Sequence, residues 1–327
     1  MAHDSTYKIP SITHTQEKKI RNVGFEMEFI GLDLIQTTAV VEQVFSGRRI
    51  KESSAACVVA VEGLGDFTIE VDWHFLKQKA AQQNQARPGD WLDLLSQAAA
   101  LLVPMEVVCP PISVSELDRL DPLVKALHRA GARGTQDSII AAYGVHINTE
   151  IPNLDVSCLS AYLRAFSLLQ WWLVDTHQVD FARRLSPYID LYPEAYLQQL
   201  FSRALPDQNQ IQDDYLHYNA SRNRALDLLP LLAHMDADQV HNAVADIKIK
   251  ARPAFHYRLP DCQIDKPGWS LAHPWNTWWV VEELAQRPDD LQDLAGQFLA
   301  MHRPLLGVSR SDWTALMSRW LHDHGLA

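Results

Sequence analysis

GFEMEFI (24–30) alternates apolar and acidic residues with a period of two. In a strand, residues i, i+2 and i+4 share a face, so Phe25, Met27 and Phe29 point one way and Glu26 and Glu28 the other. Four further segments repeat the alternation: TIEVDWHF (68–75), PMEVVC (104–109), YGVHINTE (143–150) and AFHYRLPD (254–261). Their shared parity gathers Glu70, Asp72, His74, Glu106, His146, Asn148, His256 and Arg258 with Glu26 and Glu28. The opposite face collects Ile69, Val71, Trp73, Met105, Val107, Val145, Ile147, Phe255, Tyr257 and Leu259. The expected fold is α+β, an antiparallel sheet with one face packed by helices. A face that is only solvated fits the alternation too, but such faces usually mix in Lys, Ser and Thr. This one carries acids, histidines and an Arg. Carboxylates on neighbouring strands repel one another unless cations sit among them, which favours a cation-binding face.

The bulk composition narrows the classes. The chain has 327 residues, 47% of them hydrophobic and 21% charged, ample for a substantial core. Its net charge of −11 argues against a general nucleic-acid binder, whose footprint is basic. Cys57, Cys109, Cys158 and Cys262 are scattered without a CxxC pair, which suits neither a zinc ribbon nor a disulfide framework. Cys109 falls on the apolar parity and is expected to be buried and inert. The first residues hold no apolar run and no stretch is long enough to cross a bilayer, so a cytoplasmic protein without a membrane partner is expected.

Residues 1–20 read as a leading arm without regular structure, and 21–327 as one domain. Helical periodicity appears at 37–47, 91–102, 115–130 (with Ser115 as N-cap), 155–178, 188–203, 236–247, 274–286, 288–301 and 311–324. A hairpin is expected around Leu64 and Gly65. The last polar strand lies within the helical half, so both halves must build one sheet. Trp171, Trp172, Trp275, Trp278 and Trp279 are read as core rather than cleft residues. Arg183 and Arg184 are read as surface charge or an anion site. No GxxxxGK[ST], GxSxG or HExxH supports a rival chemistry.

The ordered set of segments resembles the amidoligase family, within the carboxylate–amine ligase superfamily of glutamine synthetase and glutamate–cysteine ligase. Gly24, Glu26, Glu28 and Phe29 match an opening G-x-E-x-E-F strand. Glu106-Val-Val-Cys-Pro-Pro111 is similar to an E-L-V-S-P-P segment, and Gly144, His146 and Asn148 to a G-x-H-x-[NHD] strand. His256, Arg258, Pro260 and Asp261 resemble a late E-x-R-x-P-D strand, and SRNRALDLLPL (221–231) an R-Y-x-A-L-N-L-x-P element. The resemblance spans about 24–261. It implies a concave sheet of the glutamine synthetase-like catalytic fold and ATP-dependent amide formation from a small carboxylate and an amine. ATP and Mg²⁺ or Mn²⁺ would be the cofactors. By the same resemblance Glu28, Asp72 and Glu106 would hold one ion, and Glu26, His146 and His256 another. Arg258 and Asn148 would contact the nucleotide, and Arg222 and Arg224 phosphate or a substrate carboxylate. His256 stands where the superfamily most often has Glu, and imidazole favours Mn²⁺, Fe²⁺ or Zn²⁺ over Mg²⁺. Two alternatives stay open: a phosphotransferase on a related sheet, and a metal- or nucleotide-binding protein without turnover.

Overall fold

The computed structural model describes residues 6–71, 104–135, 143–184, 189–203, 207–246 and 248–327. Among these, a nine-stranded sheet forms the frame, with every pairing antiparallel. The first strand, β1 (Asn22–Phe29), leads into α1 (Leu34–Phe45), which Asp33 and Gln36 close with a capping box. β2 (Arg48–Glu52), β3 (Ala56–Val61) and β4 (Gly65–Val71) form an antiparallel meander. The expected strand over 68–74 thus begins earlier. Its residues from Asp72 on, and the expected helix over 91–102, lie outside the described residues.

β5 (Met105–Val108) and β6 (Ile112–Ser113) both pair with β1. A 3₁₀ turn (Leu117–Leu120) and α2 (Asp121–Ala130) follow. The helix starts later than expected because Pro122 suits a first turn, where its missing N–H costs nothing. Ser115 is not its cap and instead shares a hydrogen bond with Ser113 at 2.8 Å. β7 (Val145–Thr149) pairs with the other edge of β1. Then come α3 (Val156–Thr176), α4 (Phe181–Arg184), α5 (Glu194–Ser202) and α6 (Gln208–Asn219).

β8 (Leu226–Asp227) precedes α7 (Leu229–Met235) and α8 (Ala237–Ala243). The late strand β9 is only His256–Tyr257. Pro253 and Pro260 flank it, and proline cannot donate to a ladder, so pairing beyond the pair survives only as isolated bridges at Ala254 and Asp261. The chain closes with α9 (Ala272–Leu284), α10 (Pro288–Met301) and α11 (Arg310–Asp323). The sheet order is β2-β3-β4-β5-β1-β7-β9-β8.

Phe25, Met27, Phe29, Ile69, Val107, Val145, Ile147, Phe255 and Tyr257 are wholly buried. Each such side chain contributes about 1.5–3 kcal/mol. Helix α1 lies against β3 and β4, with Phe45 stacked on Phe67 at 5.1 Å. At the other end Tyr162 of α3 stacks on Phe255 at 4.8 Å, and Trp278 of α9 lies 5.0 Å from Tyr257. Trp171, Trp172, Trp275 and Trp278 are buried, so these tryptophans build the core. Cys109 is buried too, and burial pushes its thiol up out of the reactive range.

Residues 6–20 are not a free arm. Trp275 and Trp279 donate their indole N–H groups to the Lys8 and Ile9 carbonyls, at 2.8 and 3.1 Å. Lys8 sits 4.2 Å over the Trp279 ring. Behind the arm lies a buried ion pair. Arg21 donates to both oxygens of Glu282 at 2.9 and 3.0 Å, and also to the Glu150 and Ile12 carbonyls. Tyr162 and Trp278 donate to the same carboxylate, at 2.6 and 2.9 Å. Every oxygen lone pair facing the core is thereby used, the condition under which a buried pair is tolerated.

Two outcomes test this packing. Glu282→Gln leaves the Arg21 charge buried without a counter-charge and is expected to cost about 3–5 kcal/mol in urea unfolding. His177 Nε2 shares a hydrogen bond with the Tyr257 hydroxyl at 2.7 Å, and burial, with Arg183 nearby, lowers its pKa to about 3. The unfolded chain therefore takes up this proton first. Stability from His177 is complete above about pH 6.5 and is lost as pH falls towards 3, at up to about 1.4 kcal/mol per unit. His177→Gln should make stability fall less steeply between pH 7 and 4. Parallel slopes for the two proteins would contradict it.

Candidate functional site

The polar residues of six strands form one band across the sheet. Glu70 of β4 stands opposite Glu106 of β5, and Glu106 opposite Glu28 of β1. Glu26 stands opposite His146 of β7, and Asp227 of β8 opposite His256 of β9. Directly opposed residues have Cβ atoms about 4.5–5.5 Å apart, so the Glu70–Glu106–Glu28 row is an array of like charges at close quarters. The side chains of Glu26 and Glu28 are only 16% and 21% exposed, so water screens them little.

Among the described residues, two groups of potential cation ligands lie in this band: Glu28, Glu106 and His146; and Glu26, His146 and His256. In each, one ligand atom per residue lies within 4.8 Å of the other two. His146 joins both. Its Nδ1 is 2.8 Å from Glu26 Oε2 and its Nε2 is 3.6 Å from Glu28 Oε1. Burial pushes the His146 imidazole towards the neutral form, although the two glutamates pull the other way. A neutral ring donating Nδ1–H to Glu26 presents a lone pair at Nε2 towards Glu28, the tautomer a metal ligand needs. Glu26 itself is raised by burial, but His256 and His146 more than offset this and hold it well below the usual carboxylate range. It is ionised. Asp72 and His74, which share the expected parity, lie outside the described residues.

Beside the acids stands a group of arginines. Asn148 donates to Glu26 Oε1 at 2.9 Å and accepts from Arg252 at 2.7 Å. Burial pushes the Arg252 guanidinium down, Glu26 and Asp227 oppose this, and the charges of Arg258 and Arg222 add to it. Arg222, Arg252 and Arg258 therefore crowd one region, and each has a buried Nε–H with no acceptor among the described residues. Arg222 otherwise reaches Asp246 at 3.8 Å. Arg224 is placed differently: its terminal nitrogens donate to the Leu191 and Tyr218 carbonyls, both at 2.9 Å, tying the loop before β8 to its neighbours.

Arg183 is neither surface charge nor an open anion site. It is 4% exposed and donates to the Arg258, Leu259 and Pro260 carbonyls and to Asp261. It thus holds the segment that carries Arg258. The same guanidinium explains Gly144. A Cβ there would run into Arg183 and come within 3.3 Å of Glu28 Oε2, which already accepts from the Gly144 N–H at 2.7 Å. Arg252 and Asp227 were missed by the parity reading. Arg252 precedes the alternating stretch, and Asp227 lies in a two-residue strand too short to show a period.

Gly144→Ala is expected to destabilise the protein by about 1–3 kcal/mol in denaturant unfolding, as overpacking does. Unchanged stability would show that Arg183 has room to retreat.

A family model described as "putative amidoligase enzyme" matches residues 19–280, from just before β1 into α9. No curated protein and no solved structure matches the chain. The match takes in every strand of the sheet and both the acidic band and the arginine group, and the chain belongs to this amidoligase family.

Proposed function

We propose that the protein is an ATP-dependent carboxylate–amine ligase that forms an amide or peptide-like bond between a small acid and an amine. One observation carries this reading: a band of carboxylates and imidazoles adjoins three arginines whose buried Nε–H groups lack acceptors among the described residues. The first attracts divalent cations and the second suits phosphate oxygens, whose geometry matches the guanidinium fork. A polyphosphate bridged by cations satisfies both. Membership of the amidoligase family supports ligase chemistry.

The residues divide the work. Glu28, Glu106 and, through its Nε2 lone pair, His146 would hold one Mg²⁺ or Mn²⁺, and Glu26 with His256 another; Asp72 shares the expected parity. Such cations neutralise phosphate charge and polarise the transferring phosphoryl group. Arg258, fixed through its own carbonyl by Arg183, would meet the transferring phosphoryl oxygens. Arg252, held by Asn148, and Arg222 would meet neighbouring phosphates or the acid substrate. In the first step a substrate carboxylate oxygen attacks the γ-phosphorus and ADP leaves, giving an acyl phosphate. In the second an amine attacks the acyl carbon and phosphate leaves, forming the amide.

The decisive experiment screens amino acids and polyamines for ADP release. Release that requires both a carboxylate and an amine is expected. Release with the carboxylate alone would indicate a phosphotransferase, and ATP binding without release a binding protein. Arg258→Lys removes the planar fork but keeps the charge. It should melt as the parent does and lose roughly 10²–10³ in turnover, the usual effect of removing one donor aimed at developing charge. A folded variant with full turnover would remove Arg258 from the phosphoryl site.

A further inference from the structure

Leu305 and Leu306 are the most exposed large apolar residues among those described, at 104% and 79%. They form the tip of a tight turn between α10 and α11. Arg303 and Gly307 close that turn with two backbone hydrogen bonds of 3.0 and 2.9 Å, and the Leu306 N–H adds a third to the Arg303 carbonyl. Glu194 of α5 braces its foot. Its carboxylate accepts the Val308 N–H at 2.8 Å, lies 3.7 Å from His302 Nε2, and packs so closely on Gly307 that no Cβ fits there. Leu305 takes a φ of 67°, a left-handed conformation that leucine rarely adopts. Single exposed apolar residues are ordinary, but a braced turn that holds two of them in water has the form of an interaction surface.

The same molecule carries a surface that complements this tip. A shallow groove of about 460 Å³ runs between α6 and α8, with Leu216 and Ala243 in its lining. Its surroundings are acidic. Asp213, Asp236 and Asp238 are exposed, and the first two carboxylates hold only the uncharged Gln239. The tip has the opposite sign: Arg303 and Arg310 flank the leucines, and both are exposed. Asp312, the acid nearest them in sequence, sits in the first turn of α11, where the helix dipole offsets its charge.

We infer that this turn is a self-association element: Leu305 and Leu306 of one copy of the chain enter the α6–α8 groove of a second copy, and Arg303 and Arg310 meet Asp213, Asp236 and Asp238. Charge complementarity selects the second copy as occupant. The tip does not fill the groove of its own chain, since Leu305 is wholly in solvent. A twofold axis makes both tip–groove contacts at once and closes the pair as a dimer. The chain's net charge of −11 opposes association in general, so the attraction has to be local, which is what the two arginines supply. Neither the acidic band nor the arginine group of the sheet takes part, so this inference stands apart from the ligase reading.

Sedimentation equilibrium of the full chain over a concentration series tests it. The parent is expected to show a monomer–dimer equilibrium whose dimer weakens as salt rises. Leu305→Ser combined with Leu306→Ser should melt as the parent monomer does and weaken the dimer at least ~100-fold. Charge reversal then locates the groove. Arg303→Glu with Arg310→Glu should weaken the dimer, and so should Asp213→Lys with Asp238→Lys. Mixing these two variants should restore it, because each tip then meets a groove of opposite charge. A parent that stays monomeric, a dimer indifferent to the leucine substitutions, or a mixture that fails to pair overturns the inference. So does a monomeric parent that binds vesicles of phosphatidylcholine and phosphatidylserine through Leu305 and Leu306, which would assign the tip to a membrane surface.

Discussion

The period of two in β1 constrains everything around it. Phe25, Met27 and Phe29 cannot be buried against helices without sending Glu26 and Glu28 to the other side of the same strand. Because β1 sits between β5 and β7, its acids meet Glu106 on one side and His146 on the other. A slip of one residue in either pairing would bury acids in the core, so the hydrophobic face sets the register of the polar one. The site is thus a by-product of how the core is packed.

Concentrating acids on a nearly dry surface opposes folding, and the structure answers with local compensation. Asn148 and His146 donate to Glu26. Glu28 takes the Gly144 N–H. Arg252, Arg222 and Arg258 bring positive charge to the same region from the segments flanking β8 and β9. Among the described residues their Nε–H groups go without acceptors. These donors and the clustered carboxylates are the groups that the proposed cation-bridged polyphosphate would meet.

The helical half is tied to this sheet rather than merely appended. Arg21 at the threshold of β1 and Glu282 in α9 are 261 residues apart in sequence and form a wholly enclosed pair. Tyr162 of α3 and Trp278 of α9 complete it. Trp275 and Trp279 then fasten residues 6–20 across α9. Phe255 and Tyr257 carry the same helices on the back of β9, directly behind His256. Positions of the metal-ligand candidates therefore depend on the C-terminal helices through the core.

Sequence alone determined the parity of the strands, and with it which side chains share the polar face. Parity is a local property, and it placed Glu26, Glu28, Glu106, His146 and His256 on one face. Long helices such as 156–176, 288–301 and 310–323 were legible for the same reason, since a sustained period needs no partner to be read. Tertiary structure alone decided the rest. Asp227 entered the site through a two-residue strand, and Arg252 through a proline-flanked loop, both too short to carry a period. Arg183 changed from surface charge to a buried brace because its acceptors are backbone carbonyls that no pattern announces. Arg224 was turned to Leu191 and Tyr218 in the same way. Residues 6–20 gained order from indole N–H groups that needed acceptors, a demand that becomes visible only once α9 is in place.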